Sequence, residues 1–154
     1  MAAVAVFTGL VEGEIVCKDT PTGCRIVVKF TRLPAGNHGF HIHKAGDLRG
    51  QGCKGACDHY HSGPAASHGG PPGSKGSRHT GDLGNIEGPT FSKSYFLKGV
   101  HAADLWGRSF IVHADEDDLG LGDFEDSSTT GHSGSRIACA VIGRSMCADA
   151  TRKL

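Results

Sequence analysis

From Cys24 to Thr31 the residues alternate, with Ile26, Val28 and Phe30 interleaved with Val27, Lys29 and Thr31. A period of two marks a β-strand with one face buried. No segment keeps a 3.6-residue apolar period for even three turns. The other strand-like runs are short: Ala3–Thr8, Gly13–Lys18, His38–Lys44, Phe91–Leu97, Arg108–His113 and Arg136–Ile142, with a shorter one near Asp82–Ile86. Clusters of Gly, Pro or Asp separate them. The 24 glycines exceed the usual share of about 7%, so turns and loops are abundant. Lys18-Asp-Thr-Pro-Thr-Gly23 lies between two of these runs and predicts a hairpin. Seven or eight short strands with long polar loops imply an antiparallel sandwich or barrel.

The length of 154 residues fits one domain, 1–154, with enough chain for a real core. Sixteen basic residues balance sixteen acidic ones, which gives no electrostatic case for nucleic acid or an anionic membrane. No apolar run approaches the ~20 residues that span a bilayer. Met1–Leu10 has no basic region ahead of its apolar residues, so no secretory signal is expected and a cytoplasmic location is. In that setting the six cysteines suggest metal or redox chemistry before a disulfide scaffold. None has Cys-x-x-Cys spacing, which removes a zinc-ribbon reading.

In Gly39-Phe-His-Ile-His43 the same alternation takes on chemical meaning. On a strand, His41 and His43 project from one face while Phe40 and Ile42 enter the core from the other. Two imidazoles on one rigid face are half of a metal site. Two loops are long enough to supply the rest. One, 45–81, holds His59, His61, His68 and His79; the other, 114–135, is strongly acidic and follows His113 at a strand end. Asp82 follows His79-Thr-Gly. Any one histidine is ordinarily a hydrogen-bonded surface or core residue, but this ordered set is hard to explain that way. Three histidines and a carboxylate suit zinc. An all-imidazole set suits copper, which has two accessible oxidation states.

Six motifs then carry a resemblance. Gly39-Phe-His41-Ile-His43, His68-Gly-Gly-Pro71, Arg78-His79-Thr-Gly-Asp82-Leu-Gly-Asn85, Val112-His113, Asp117-Asp118-Leu119-Gly120 and Gly134-Ser-Arg136-Ile-Ala-Cys139 are similar, in order, to those of the copper/zinc superoxide dismutases. The likeness runs from about Ala3 to Gly143. It implies an eight-stranded antiparallel Greek-key barrel or sandwich with two long functional loops. It also implies an antioxidant enzyme that converts superoxide to dioxygen and hydrogen peroxide by cycling copper beside a structural zinc, one of each per subunit. By that resemblance His41, His43, His59 and His113 hold copper. His59, His68, His79 and Asp82 hold zinc, so His59 bridges the two and carries a proton. Asp117 orients ligand rings of both sites. Arg136 orients the anion at the channel mouth. His38 is structural, and Cys53 and Cys139 form a disulfide. A homodimer is implied through the strand near Val4–Val6, Gly46, Trp106-Gly107 and the last strand, as is a copper chaperone as partner.

Several positions depart from the family pattern. His59-Tyr-His61-Ser stands where His-Phe-Asn-Pro is usual. Counting from Cys53 selects His59 as the bridge, while counting back from His68 leaves both His59 and His61 one residue out of step, so His61 stays an alternative. Where lysines commonly flank the channel, this sequence has Asp115, Leu121 and Thr129. The loop 114–135 carries seven acids and no base. Arg136 is then the one channel cation in sight, and weaker electrostatic steering is expected. Cys17 and Cys24 bracket the hairpin and could face each other across it, with two ordinary thiols as the preferred reading; Cys57 and Cys147 also lie outside the motifs. Arg144 stands where an apolar interface residue is expected.

Overall fold

Nine strands form two antiparallel sheets in the computed structural model, which describes residues 1–145. The strands are β1 (Ala2–Phe7), β2 (Glu12–Thr20), β3 (Gly23–Arg32), β4 (Gly36–His43), β5 (Asp82–Gly88), β6 (Phe91–Lys98), β7 (Ser109–His113), β8 (Arg136–Val141) and β9 (Gly143–Arg144). One sheet has the order β6-β3-β2-β1-β9 and the other β5-β4-β7-β8. After β3 the chain crosses to the second sheet for β4 and β5. It returns to pair β6 with β3, then crosses again to pair β7 with β4, a Greek-key path. The expected eight-stranded sandwich is borne out. The ninth strand arises because Ile142 breaks the last run, its N–H and C=O bonding to Arg108 and Gly107.

The alternation read in the sequence is realised in both sheets. Ile26, Val28 and Phe30 of β3 are buried against Phe40 and Ile42 of β4 and Phe110 and Val112 of β7 in one apolar cluster. Phe40 stacks on Phe110 with ring centroids 5.5 Å apart, and Phe30 meets Phe40 edge-on at 5.5 Å. β2 and β3 continue to Thr20 and Gly23, so the hairpin turn narrows to Pro21-Thr22. Three short turns went unseen in the sequence: a 3-10 turn at Lys54–Ala56, and one-turn helices α1 (Ala102–Leu105) and α2 (Ser127–Thr130). Each is too short for an apolar period to register.

Cys53 and Cys139 are bridged, tying the loop after β4 to β8. Cys17 and Cys24 are free and buried, and Cys57 is free and exposed; Cys147 and the segment 146–154 lie outside the described residues.

Candidate metal centre

β4 lies against β7 in a register that sets Phe40 opposite Val112, His41 opposite Ile111 and His43 opposite Ser109. Since Phe40, Ile42, Phe110 and Val112 all take the core face, His41 and His43 are left on the outer face. His113 ends β7 on that same face, at a register irregularity with β8 that falls between Val112 and His113; such bulges re-aim side chains. The loop 45–81 then folds back over this face. His59 pairs with His43 as an isolated bridge, and Lys44 N–H donates to the Asp58 carbonyl at 2.9 Å. His41 and His59 ring centroids lie 4.0 Å apart, and His41 and His113 4.7 Å.

Two ligand sets result. His41, His43, His59 and His113 converge, as do His59, His68, His79 and Asp82. In each set the donor atoms lie within 4.8 Å of one another. His59 belongs to both.

The back of each ring is fixed by an acceptor, which decides its tautomer. His43 Nδ1–H donates to the Cys57 carbonyl at 2.7 Å, and His113 Nδ1–H to the Gly134 carbonyl at 3.2 Å. His79 Nε2–H donates to the Ala66 carbonyl at 3.0 Å. One carboxylate holds two rings: Asp117 Oδ2 accepts from His41 Nε2 at 2.6 Å and Oδ1 from His68 Nε2 at 2.8 Å. Asp117 is placed by Asn85, which accepts its N–H at 2.7 Å and donates to its carbonyl at 2.9 Å. Gly131 makes room for this link. A Cβ there would strike both the Asp117 carboxylate and the His68 ring, and its φ of +73° suits glycine.

The opposite nitrogens have no such partner. His41 Nδ1, His43 Nε2, His59 Nε2 and His113 Nε2, with His68 Nδ1 and His79 Nδ1, are buried without a hydrogen bond. His68 Nδ1 and His79 Nδ1 face the Asp82 carboxylate at 3.0 and 3.3 Å, whereas the four nitrogens of the first set face no anion. An orphaned buried acceptor costs about 1–3 kcal/mol, so four aimed at one point make sense only around a ligand that takes lone pairs. A metal cation is such a ligand. Burial lowers the His43 pKa to about 2 and that of His113 to about 4, aided by charge repulsion from His59 and Arg136. Both stay neutral, as metal donors must be.

Asp82 sits at the start of β5, opposite His41. Its Oδ1 lies 2.8 Å from His59 Nδ1 and 3.0 Å from His68 Nδ1, while its Oδ2 accepts the His79 and Gly69 N–H groups at 2.7 and 3.0 Å. Burial alone would raise its pKa, but the imidazoles of His59, His68 and His79 beside it hold it well below the ordinary carboxylate range. Copper and zinc fit the two donor sets, four imidazoles in one and three with a carboxylate in the other.

The remaining predicted residues also find places. His38 is buried with Nδ1 2.9 Å from the His113 carbonyl and Nε2 2.9 Å from that of Pro34, a strand-tying role. Arg136 donates to the Cys53 and Cys57 carbonyls at 2.8 and 2.7 Å and lines an open cavity of about 440 Å³ that reaches His59. His61 lies in neither ligand set. Its Nδ1 accepts the Thr80 N–H at 3.1 Å and its Nε2–H donates to the Pro64 carbonyl at 2.7 Å. Lys44 also lines the cavity. Sequence reasoning missed it, because its place depends on the pairing of residues 43 and 59.

Comparison with known proteins agrees with this geometry. Residues 11–142 match the model of the copper/zinc superoxide dismutase family. A superoxide dismutase [Cu-Zn] of Paramecium bursaria Chlorella virus 1 is 41% identical over 150 residues, covering 93% of this chain and 78% of the relative. An extracellular superoxide dismutase [Cu-Zn] of Caenorhabditis elegans is 46% identical over 117 residues, 72% of this chain and 51% of the relative. The human copper chaperone for superoxide dismutase is 39% identical over 150 residues, 94% of this chain and 53% of that protein.

Proposed function

The chain belongs to the copper/zinc superoxide dismutase family, oxidoreductases that bind copper and zinc, and from that premise we propose that it disproportionates superoxide. Two superoxide anions and two protons give one dioxygen and one hydrogen peroxide. His41, His43, His59 and His113 would hold copper, and His59, His68, His79 and Asp82 would hold zinc, within one domain spanning 1–154. Bound copper supplies a one-electron redox couple that zinc lacks.

The chain's own residues do the rest. The Arg136 guanidinium keeps its charge at any working pH and orients the small anion; its bonds to the Cys53 and Cys57 carbonyls fix the fork. His59 Nε2, unpaired and facing the other imidazoles, is the atom that would take up a proton whenever it is not a copper ligand and hand it to the reduced oxygen species, and Asp82, 2.8 Å from Nδ1, keeps the ring in place. Asp117 keeps His41 and His68 in register with each other. The observation that carries this reading is the convergence of the unpaired His41, His43, His59 and His113 nitrogens on one point, with His59 also grouped with His68, His79 and Asp82.

Metal analysis beside a superoxide-consumption assay tests it. The protein is expected to hold both metals and consume superoxide. His113→Ala is expected to lose copper and at least about 100-fold in activity while keeping zinc. Stoichiometric metal without superoxide consumption would replace the dismutase with a metal-storage or copper-delivery role, the latter in line with the chaperone relative.

A homodimer is part of the same proposal. Val6 on β1 and Val141 on β8 are exposed; Trp106 donates its Nε1–H to the Ala2 carbonyl, and the Arg144 guanidinium lies 5.0 Å from its ring centroid. A monomeric mass by light scattering would remove it. No helix among the described residues is long and apolar enough to cross a membrane. The three free thiols among the described residues fit a cytoplasmic protein, although the Caenorhabditis elegans relative is named extracellular; cell fractionation decides the location.

A further inference from the structure

The sequence leaves Arg136 as the lone cation of the channel and sets seven acids in the loop 114–135 against it. The folded chain distributes these charges differently. That loop lines the cavity only with Ser128, Thr129 and Thr130; none of its acids does. Several acids are engaged elsewhere. Asp117 holds His41 and His68, Asp118 accepts from Ser127 Oγ and Gly120 N–H, Asp126 pairs with His132, and Glu116 accepts from Asn37.

Meanwhile Lys44, the residue after the ligand His43, lines the same cavity as Arg136 and His59. Its backbone is fixed on two sides: its N–H donates to the Asp58 carbonyl at 2.9 Å and its carbonyl accepts from Arg108 at 3.0 Å. Its side chain is exposed and has no ion-pair or hydrogen-bond partner among the described residues. The charged residues lining the cavity are thus Lys44, Arg136 and the single acid Asp58, a net positive charge.

We infer that Lys44 is an anion-guiding residue of the channel, replacing on the β4 side the cations absent from positions 115, 121 and 129. This rests on the dismutase reading above. An ammonium free of any partner adds its full charge to the approach path, and a flexible Lys stem holds it in water near the cavity without desolvation. A unit charge roughly 10 Å from a passing anion changes its local concentration about twofold in water, less as salt screens it.

The test uses the copper- and zinc-loaded protein and its Lys44→Gln, Lys44→Glu and Lys44→Arg variants. Lys93→Gln, in which a lysine on β6 is neutralised away from the cavity, controls for net charge. Two quantities are read: the second-order rate with superoxide as a function of ionic strength, and the dissociation constant of azide, a small monoanion, by absorbance titration. At low salt Lys44→Gln is expected to lower the rate and weaken azide about twofold, and Lys44→Glu about fourfold. Lys44→Arg should match the parent, Lys93→Gln should change neither, and the differences should shrink at high salt. Parent-like rate, salt slope and azide affinity in Lys44→Glu would overturn the inference. A parent protein that binds azide but consumes no superoxide would instead sink the dismutase reading, and azide affinity would still decide whether Lys44 attracts anions.

Discussion

The two ligand sets share a ring yet are built in opposite ways. His41, His43 and His113 stand on β4 and β7, backed by the Phe40–Phe110 core, and their positions are those of the sheet itself. His68 and His79 come from the long loop, and only Asp82 of that set lies on a strand. The first set contains no anion, and burial keeps His43 and His113 neutral, with pKa values of about 2 and 4. In the second, burial works against a charge on His68, but Asp117 and Asp82 on its two sides raise its pKa to about 9. The sheet sets its donors by strand register and leaves hydrogen bonds to aim their rings, whereas the loop donors gather around a charge. Asp82 is that charge.

Removing it should show the contrast at its largest. Asp82→Ala is expected to weaken zinc binding by at least about 100-fold and to destabilise the metal-free protein by about 3 kcal/mol, because buried partners lose their counter-charge. Copper affinity should fall far less. Competition titrations and thermal unfolding measure this, and an equal loss of both metals would mean that the sheet set is not independent.

Asp117→Ala comes next. Asp117 bonds one ring of each set, so copper and zinc affinities should both drop, each by about 10- to 100-fold. A change confined to one metal would show that the carboxylate supports that site alone.

The smallest effect is expected at His61. His61→Ala removes its bonds to Thr80 and Pro64 at a partly exposed position, costing about 1 kcal/mol of stability and leaving zinc affinity within about threefold. A loss on the scale of Asp82→Ala would make His61, and not His59, the shared ring.

The same division explains what could be read from the residues in order. Strand chemistry was legible: the alternation around Ile42 puts His41 and His43 on one face before any fold is known. The loop was only partly so. His59 and His61 differ by one alternation in a stretch with no periodic constraint, and the choice depends on the His43–His59 bridge, a contact between distant parts of the chain. Lys44 was overlooked for the same reason, since its neighbours Asp58 and Arg136 are brought to it by folding. Counting the charges of 114–135 does not describe the cavity lining, because composition does not say which way a side chain faces. The one-turn helices Ala102–Leu105 and Ser127–Thr130 left no periodic trace.

The bridge between Cys53 and Cys139 joins residues 86 positions apart. In polymer terms it turns the middle of the polypeptide into a ring that contains His59, His68, His79, Asp82, His113 and Asp117, with His41 and His43 just outside. Closing a ring of that size removes unfolded-state entropy worth about 4–5 kcal/mol. Even when the strands separate, the ring keeps those six side chains from drifting far apart, so that after a local opening they search a small volume to find one another again.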